Sequence, residues 1–558
     1  MMEKRNGYSH FQAFPDGYAA RPGHPIRYNG FVPEFQVAAV TLSRRSLVHL
    51  AGKAGGVAAA YHTMAAMGLL VVPSAYAGPP ALPPGRGRRV VIIGAGIAGM
   101  VLAYDLRKSG YKPLILEARA RPGGRNWSLR AGDTVTETNS TQHVAWDRGE
   151  HMYFNPGPAR IPHHHEGILS YCRALGVPLE VMCNDNRAAF MQDDHAFDGA
   201  PQLNRRVVND ARGTIAELAA KAVDKDLLTQ SVTVEDKERL RKFLRGFGAL
   251  DKDLVYRGSA RAGWSLPPDA TQAGTPNQPL DIRQLLASDF WQGPMQFGES
   301  STQAATMMQP VGGMGRIGEA FGRSLAGVIT YEAVVTRLRR TDTGVRIDWK
   351  HAGSNAAHQI DAPFAVVTIP FPALRDIDAD FTPATRTAMA AVDYVPAGKV
   401  AFQAARRFWE LDHRIYGGIS WTSRDATQVW YPSAGVQQPK GILVGAYIWS
   451  DAIGNAFAAK SLTQRVDDIL ADVAHLHPEA PRWLGQPVSV AWKNIPFTRA
   501  GWAEWSRAAR ATQFPVLLKG DGPYLFAGEH MSFVTGWQEG AVRSAHKVLG
   551  DIGERMGG

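Results

Sequence analysis

Between residues 89 and 117 the hydrophobic period of the chain changes twice. Val90 to Ile93 is an unbroken apolar run, Met100 to Lys108 places apolar residues at helical spacing, and Pro113 to Leu116 is a second short apolar run. This order predicts a buried strand, a helix and a parallel strand, with a turn at Gly94. Residues 166–300 carry helical patterns over Ile168 to Leu175, Val208 to Leu227 and Val234 to Phe247, separated by polar loops. Residues 345–495 mix helices with strand-like runs, notably Lys399 to Gln403 and Gly441 to Trp449. Residues 363–370 add another strand, and Phe526 to Ala541 reads as a strand followed by a helix. No internal repeat, heptad array or low-complexity tract interrupts the series.

Composition narrows the class. At 558 residues the chain has room for two or three domains, and 45% hydrophobic with 20% charged residues excludes disordered, collagen-like and coiled-coil proteins. Two cysteines, Cys172 and Cys183, exclude a disulfide framework and any site built on three or four thiolates. The net charge of +10 suggests an anionic partner only until it is located along the chain. Residues 1–89 hold ten Lys and Arg against three acids, so the remaining 469 residues carry only +3, too little for nucleic-acid binding.

That basic segment contains Ser43-Arg44-Arg45-Ser46-Leu47-Val48, a mildly apolar run from Ala54 to Val72, and Ala75-Tyr76-Ala77. An arginine pair, a weakly hydrophobic stretch and a small-x-small site form the order of a twin-arginine export signal. The expectation is an exported, periplasmic or secreted protein with no stable membrane span in its mature form. About forty residues precede the arginine pair, so a pro-segment retained on a cytoplasmic protein is the alternative.

The turn after the first strand reads Gly94-x-Gly96-x-x-Gly99, and the second strand ends in Glu117. Gly94 permits a tight turn, Gly96 lets backbone approach a pyrophosphate at a helix N-terminus, and Gly99 allows close packing of helix on strand. Glu117 would accept hydrogen bonds from ribose hydroxyls. The continuation Glu117-Ala-Arg-Ala-Arg121-Pro-Gly123-Gly124-Arg125 adds a second glycine pair and a cation, which favours FAD over NAD.

From about Arg88 to the C-terminus the sequence resembles the flavin-containing amine oxidases, in the branch of L-amino acid oxidases and tryptophan 2-monooxygenase-like enzymes. The resemblance rests on the glycine motifs, on Pro523-Tyr-Leu-Phe-Ala-Gly528-Glu529, and on Thr535-Gly536-Trp537-Gln-Glu-Gly540. It implies a non-contiguous Rossmann-like FAD-binding domain, a mixed-sheet substrate domain and a helical insertion, with FAD held non-covalently. Gly124, Arg125, Val335, Trp502, Glu529, Gly536 and Trp537 are implied as cofactor contacts, Gly536 and Trp537 also bordering the substrate. The expected pieces are an N-terminal extension (1–87), FAD-binding parts (88–165, 301–345 and 496–558), a helical cap (166–300) and a mixed-sheet domain (346–495).

On the substrate side, Gly149 to Pro162 resembles the stretch whose Arg grips an amino-acid carboxylate, which implies that role for Arg160, with the backbone around Ala159 facing the flavin. The planar guanidinium fork suits a carboxylate better than a lysine point charge would. Tyr431, after Val429 and Trp430, is the implied second carboxylate partner, with Trp430 in that role if the alignment slips by one. Lys399 matches a lysine that aids the reaction of reduced flavin with O2. His163-His164-His165 does not make a metal site, because three successive side chains do not converge on one ion without special backbone geometry, and no metal is expected. The implied activity is oxidation of L-amino acids with O2, in a homodimer. Alternatives are a decarboxylating monooxygenase giving an amide and CO2, an oxidase of carboxylate-free amines, and a flavin-binding module without catalysis.

Overall fold

The computed structural model describes residues 76–225, 233–354 and 356–557, with a few isolated positions between 47 and 67. The arginine pair at 44–45 and most of the apolar run behind it lie outside the described residues.

A five-stranded parallel sheet organises the nucleotide side. Its spatial order is Ile329–Thr330, Lys112–Leu116, Arg89–Ile93, Ala365–Val367 and Tyr524–Phe526. Val90, Val91 and Ile92 are completely buried and Ile93 nearly so, which explains the unbroken apolar run: both faces of this strand are covered. The helices Ile97–Lys108 and Gln538–Gly557 pack on one face, contributing Met100, Leu102, Val542 and Leu549 to a common core. The other face meets a four-stranded sheet made by Ala357–Ala362, Gly344–His351, Ala333–Thr341 and Asp378–Ala379. The strand expected over 363–370 is confined to Ala365–Val367; Thr368 then bends back, its hydroxyl donating to the carbonyls of Ile93 and Gly94.

The second large sheet has seven strands in the order Leu484–Ala491, Gly398–Ala404, Gly441–Ile448, Gln428–Tyr431, Gly418–Thr422, Phe190–Gln192 and Gln202–Leu203. Gly398–Ala404 is buried throughout, and the helices Asp451–Ala459 and Leu462–Leu476 cover one face. Strands 190–192 and 202–203, expected inside the helical cap, pair into this sheet through Met191 opposite Trp421 and Met191 opposite Gln202. Of the helices expected over 166–300, Asn204–Asp224 and Val234–Gly248 pack on each other, whereas Glu166–Ala174 joins the core of the parallel sheet through Ile168 and Cys172. Among the described residues no helix is long and apolar enough to cross a membrane.

Candidate active site

The glycine turn is shaped by what each missing side chain would meet. Gly94 has φ +102°, and a Cβ on Gly99 would stand 2.1 Å from the Gly94 carbonyl oxygen, so helix and turn touch only because Gly99 has no side chain. Gly96 differs: a Cβ there meets no protein atom within 4 Å, because it would project into open space. The helix Ile97–Lys108 starts directly after Gly96 with no side-chain cap, which leaves its first amides free for a ligand. Glu117 closes the turn from below, Oε2 accepting the Ala95 N–H (2.7 Å) and Oε1 the Arg119 N–H (2.9 Å). Gly123 donates to the Ala95 carbonyl (2.8 Å), which brings the second glycine pair against the first.

Glu529 organises the opposite wall. One carboxylate oxygen pairs with Arg125 Nη1 at 2.9 Å, and the other accepts the Gly536 N–H at 3.0 Å. Gly536, at φ +80°, faces the Trp502 ring. Between these walls runs a cleft lined from Glu117 and Arg119 to Tyr447 and Trp537. Gly94, Gly96, Gly124, Arg125, Trp502, Glu529 and Gly536 all line it.

Beyond Trp537 lies a cationic corner. Arg160 has a buried Nη1 with no hydrogen-bond partner, and no described carboxylate comes within ion-pair distance of its guanidinium. Its guanidinium carbon stands 4.6 Å from the Trp430 ring centre, 5.5 Å from Phe297 and 5.8 Å from Trp537. Burial pushes its pKa down to about 10. Lys399, on the buried strand next to the edge of the seven-stranded sheet, donates to the carbonyls of Asn155 (3.0 Å) and Gly157 (2.7 Å). It thereby pins the loop that leads to Arg160. Burial first, and the Arg160 charge second, push the Lys399 pKa down to about 7.

The sequence profile of the flavin-containing amine oxidoreductases matches residues 97–548. The chain belongs to this family. Among similar proteins, the putative L-amino-acid oxidase YobN of Bacillus subtilis is 25% identical over 83% of this chain and 94% of its own length. The flavin-dependent L-tryptophan oxidase RebO of Lentzea aerocolonigenes is 24% identical over 82% of this chain and 96% of its own length. A triply substituted putrescine oxidase has the same fold, with a TM-score of 0.55 at 17% identity, covering 84% of this chain and 99% of its own.

This amine oxidoreductase is therefore a flavin-dependent oxidase with FAD as cofactor. Its cleft fits that group. The space beside Gly96 and the uncapped helix start suit a pyrophosphate, Glu117 would face the ribose, and one cleft connects Glu117 with Trp537. Not every expected contact lies on the cleft. Gly99 packs behind the turn, Val335 is buried in the core under the four-stranded sheet, and Ala159 and Arg160 belong to the cluster beyond Trp537.

Tyr431 requires a correction. It lies on the far face of its strand, its hydroxyl 2.7 Å from Ser420 Oγ and 2.6 Å from His477 Nε2, in the core with Trp409. Side chains alternate across a strand, so Trp430 and not Tyr431 faces Arg160. The tyrosine on the Arg160 side is Tyr447, which lines the cleft and stands 4.5 Å from Lys399 Nζ. Trp492 was also missed. It lines the cleft and donates through Nε1 to the Pro156 carbonyl (2.8 Å). Its signal was only an aromatic at the end of a strand, which most sequences satisfy by packing. His165 lies edge-on to Trp537 at 5.0 Å, and burial holds its pKa down to about 3, so it stays neutral.

Proposed function

We propose that this oxidase converts L-amino acids, O2 and water to 2-oxo acids, ammonia and hydrogen peroxide. Arg160 carries the reading. A guanidinium set among aromatic rings, with a buried nitrogen unpartnered and no carboxylate in reach among the described residues, calls for an anion from outside, and its planar fork matches a carboxylate. Amines without a carboxylate would leave that charge uncompensated. The likeness to proteins named L-amino-acid oxidase over most of the chain supports the same substrate class.

In this reading Arg160 and Tyr447 hold the carboxylate, while Trp537 and Trp502 wall the reacting end of the substrate and exclude water. FAD, when bound, accepts the two electrons of the Cα–N oxidation and delivers them to O2. Lys399 keeps a positive charge close to the cleft and titrates near neutrality, which suits it to stabilise reduced oxygen and to hand over a proton. No side-chain base is needed for a substrate that enters with its amine uncharged. Non-covalent attachment of FAD is consistent with both cysteines lying away from the cleft. The reading extends to a homodimer and to export through the Arg44-Arg45 signal.

Oxygen uptake, 2-oxo acid and peroxide are measured across L- and D-amino acids and aliphatic amines. Turnover confined to L-amino acids, with equimolar 2-oxo acid and peroxide, is expected. An amide and CO2 in their place would assign the decarboxylating monooxygenase, and equal efficiency on simple amines would remove Arg160 from substrate binding.

A further inference from the structure

Outside the cofactor cleft, behind the strand that carries Trp430, three metal-type donors converge from two separate stretches of chain. His413 follows the short helix Phe408–Leu411, and His477 and Glu479 lie between the helices Leu462–Leu476 and Ala480–Trp483. His413 Nε2 stands 2.6 Å from Glu479 Oε1, and His477 Nδ1 stands 3.6 Å from the same oxygen. The donor atoms of the three residues all lie within 4.8 Å of one another. His413 and Glu479 keep 25% and 29% side-chain exposure, so ions reach the cluster, whereas His477 has none.

His477 supplies a second, independent observation. Its Nδ1 is buried and has no partner within 3.5 Å, the Glu479 carboxylate standing just beyond at 3.6 Å. Its Nε2 lies 2.6 Å from the Tyr431 hydroxyl, which lies 2.7 Å from Ser420 Oγ, and that oxygen also accepts the Phe190 N–H at 2.8 Å. With the proton on Nε2, His477 donates to Tyr431 and Tyr431 to Ser420. Nδ1 then presents a bare lone pair toward the Glu479 carboxylate. In that tautomer two acceptors face each other at 3.6 Å and a cation between them removes the repulsion, whereas the opposite tautomer turns Nδ1–H toward the carboxylate. One nitrogen donating to an outer hydroxyl and the other left bare is also how an imidazole is oriented toward a metal. The ring of Phe190 packs edge-on against both histidines, at 5.5 and 5.4 Å, and gives the cluster an apolar wall. Arg406, whose charge would oppose a cation here, is committed to Asp412 through hydrogen bonds of 2.5 and 2.7 Å.

We propose that His413, His477 and Glu479 bind a divalent transition-metal cation, with Zn²⁺ the best match to two imidazoles and a carboxylate. Donors around tetrahedral zinc stand about 3.3 Å apart when each bond is about 2.0–2.1 Å. Side-chain rotations open the short His413–Glu479 contact and close the wider spacings, and a water takes the fourth position on the exposed side. The ion ties the loop at 413 to the turn at 477–479. It braces the seven-stranded sheet from behind Trp430, and it takes no part in the chemistry of the cleft.

The test uses tag-free, FAD-loaded protein stripped with EDTA and titrated with ZnCl2, followed by calorimetry and by thermal unfolding. One equivalent binds with a Kd in the micromolar range or below, and Tm rises by several degrees at saturating zinc. His413→Gln and Glu479→Gln, both at partly exposed positions, each weaken that binding at least tenfold while the flavin spectrum, which reports the fold, stays that of the wild type. A double variant, His163→Asn with His164→Asn, binds zinc as the wild type does. The proposal is overturned if the wild-type protein takes up no zinc, if His413→Gln and Glu479→Gln bind it undiminished, or if only the change at 163 and 164 abolishes binding.

Discussion

The two ends of the cleft handle charge in opposite ways. At the nucleotide end every acid is engaged within the protein: Glu117 holds the amides of Ala95 and Arg119, and Glu529 holds Arg125 and the amide of Gly536. At the substrate end two cations, Arg160 and Lys399, face aromatic rings and have no described acidic partner. The first arrangement is complete in itself and fixes a shape. The second is incomplete at Arg160, whose buried Nη1 is satisfied only when an anion arrives. The difference separates a site built for a resident group from one built for a visitor that must leave.

The sharpest way to break this contrast is Arg160→Met. Removing one partner of a desolvated charge pair costs about 2–5 kcal/mol, so kcat/KM for L-amino acids should fall ~30- to 4000-fold while FAD content stays at the wild-type level. Loss of FAD instead would place Arg160 in the cofactor half. Lys399→Met comes next. The reaction of reduced enzyme with O2, followed by stopped-flow, should slow ~100-fold or more, with anaerobic reduction by substrate nearly unchanged. The same variant tests the burial of the amine. In cofactor-free protein Lys399 loses its proton near pH 7, against an ordinary value of 10.5, so between those values the unfolded chain holds the extra proton. Wild-type stability should therefore rise with pH across that window relative to Lys399→Met, with an upper bound on the order of 5 kcal/mol.

A glycine pair probes the nucleotide end more gently. Gly96→Ala should leave cofactor-free protein as stable as the wild type, or about 0.4–1 kcal/mol more stable, because φ is −75° and the new methyl touches nothing. It should nonetheless weaken FAD binding ~10-fold or more in a fluorescence titration. Gly99→Ala, by contrast, should destabilise the cofactor-free protein itself. The smallest effects distinguish two tyrosines. Tyr431→Phe should lower stability by ~1 kcal/mol without moving KM, and Tyr447→Phe should raise KM a few-fold without changing stability.

The nucleotide end was legible in the sequence because its requirements are local. Gly94, Gly96 and Gly99 act on backbone within one turn, and Glu117 follows one strand later. The substrate end depends on register, which a linear reading does not supply. Trp430 and Tyr431 are adjacent in sequence and point to opposite cores, so a shift of one position exchanges a site residue for a structural one. Tyr447 and Trp492 enter from strands brought alongside by antiparallel pairing. Lys399 was legible only through the family motif, because a lone lysine in a strand ordinarily faces solvent. Here the strand is paired on both sides and buried throughout, and the amine is held by two carbonyls.

The parallel sheet has a consequence for how the enzyme is made. Its edge strand, Tyr524–Phe526, and the Glu529 that secures Arg125 follow nearly everything else in the chain, including the entire seven-stranded sheet. A ribosome-bound intermediate would thus display the finished glycine turn long before the wall that faces it exists. Loading of FAD becomes a checkpoint on complete translation: a message truncated near its end yields a nearly full-length polypeptide that never turns yellow.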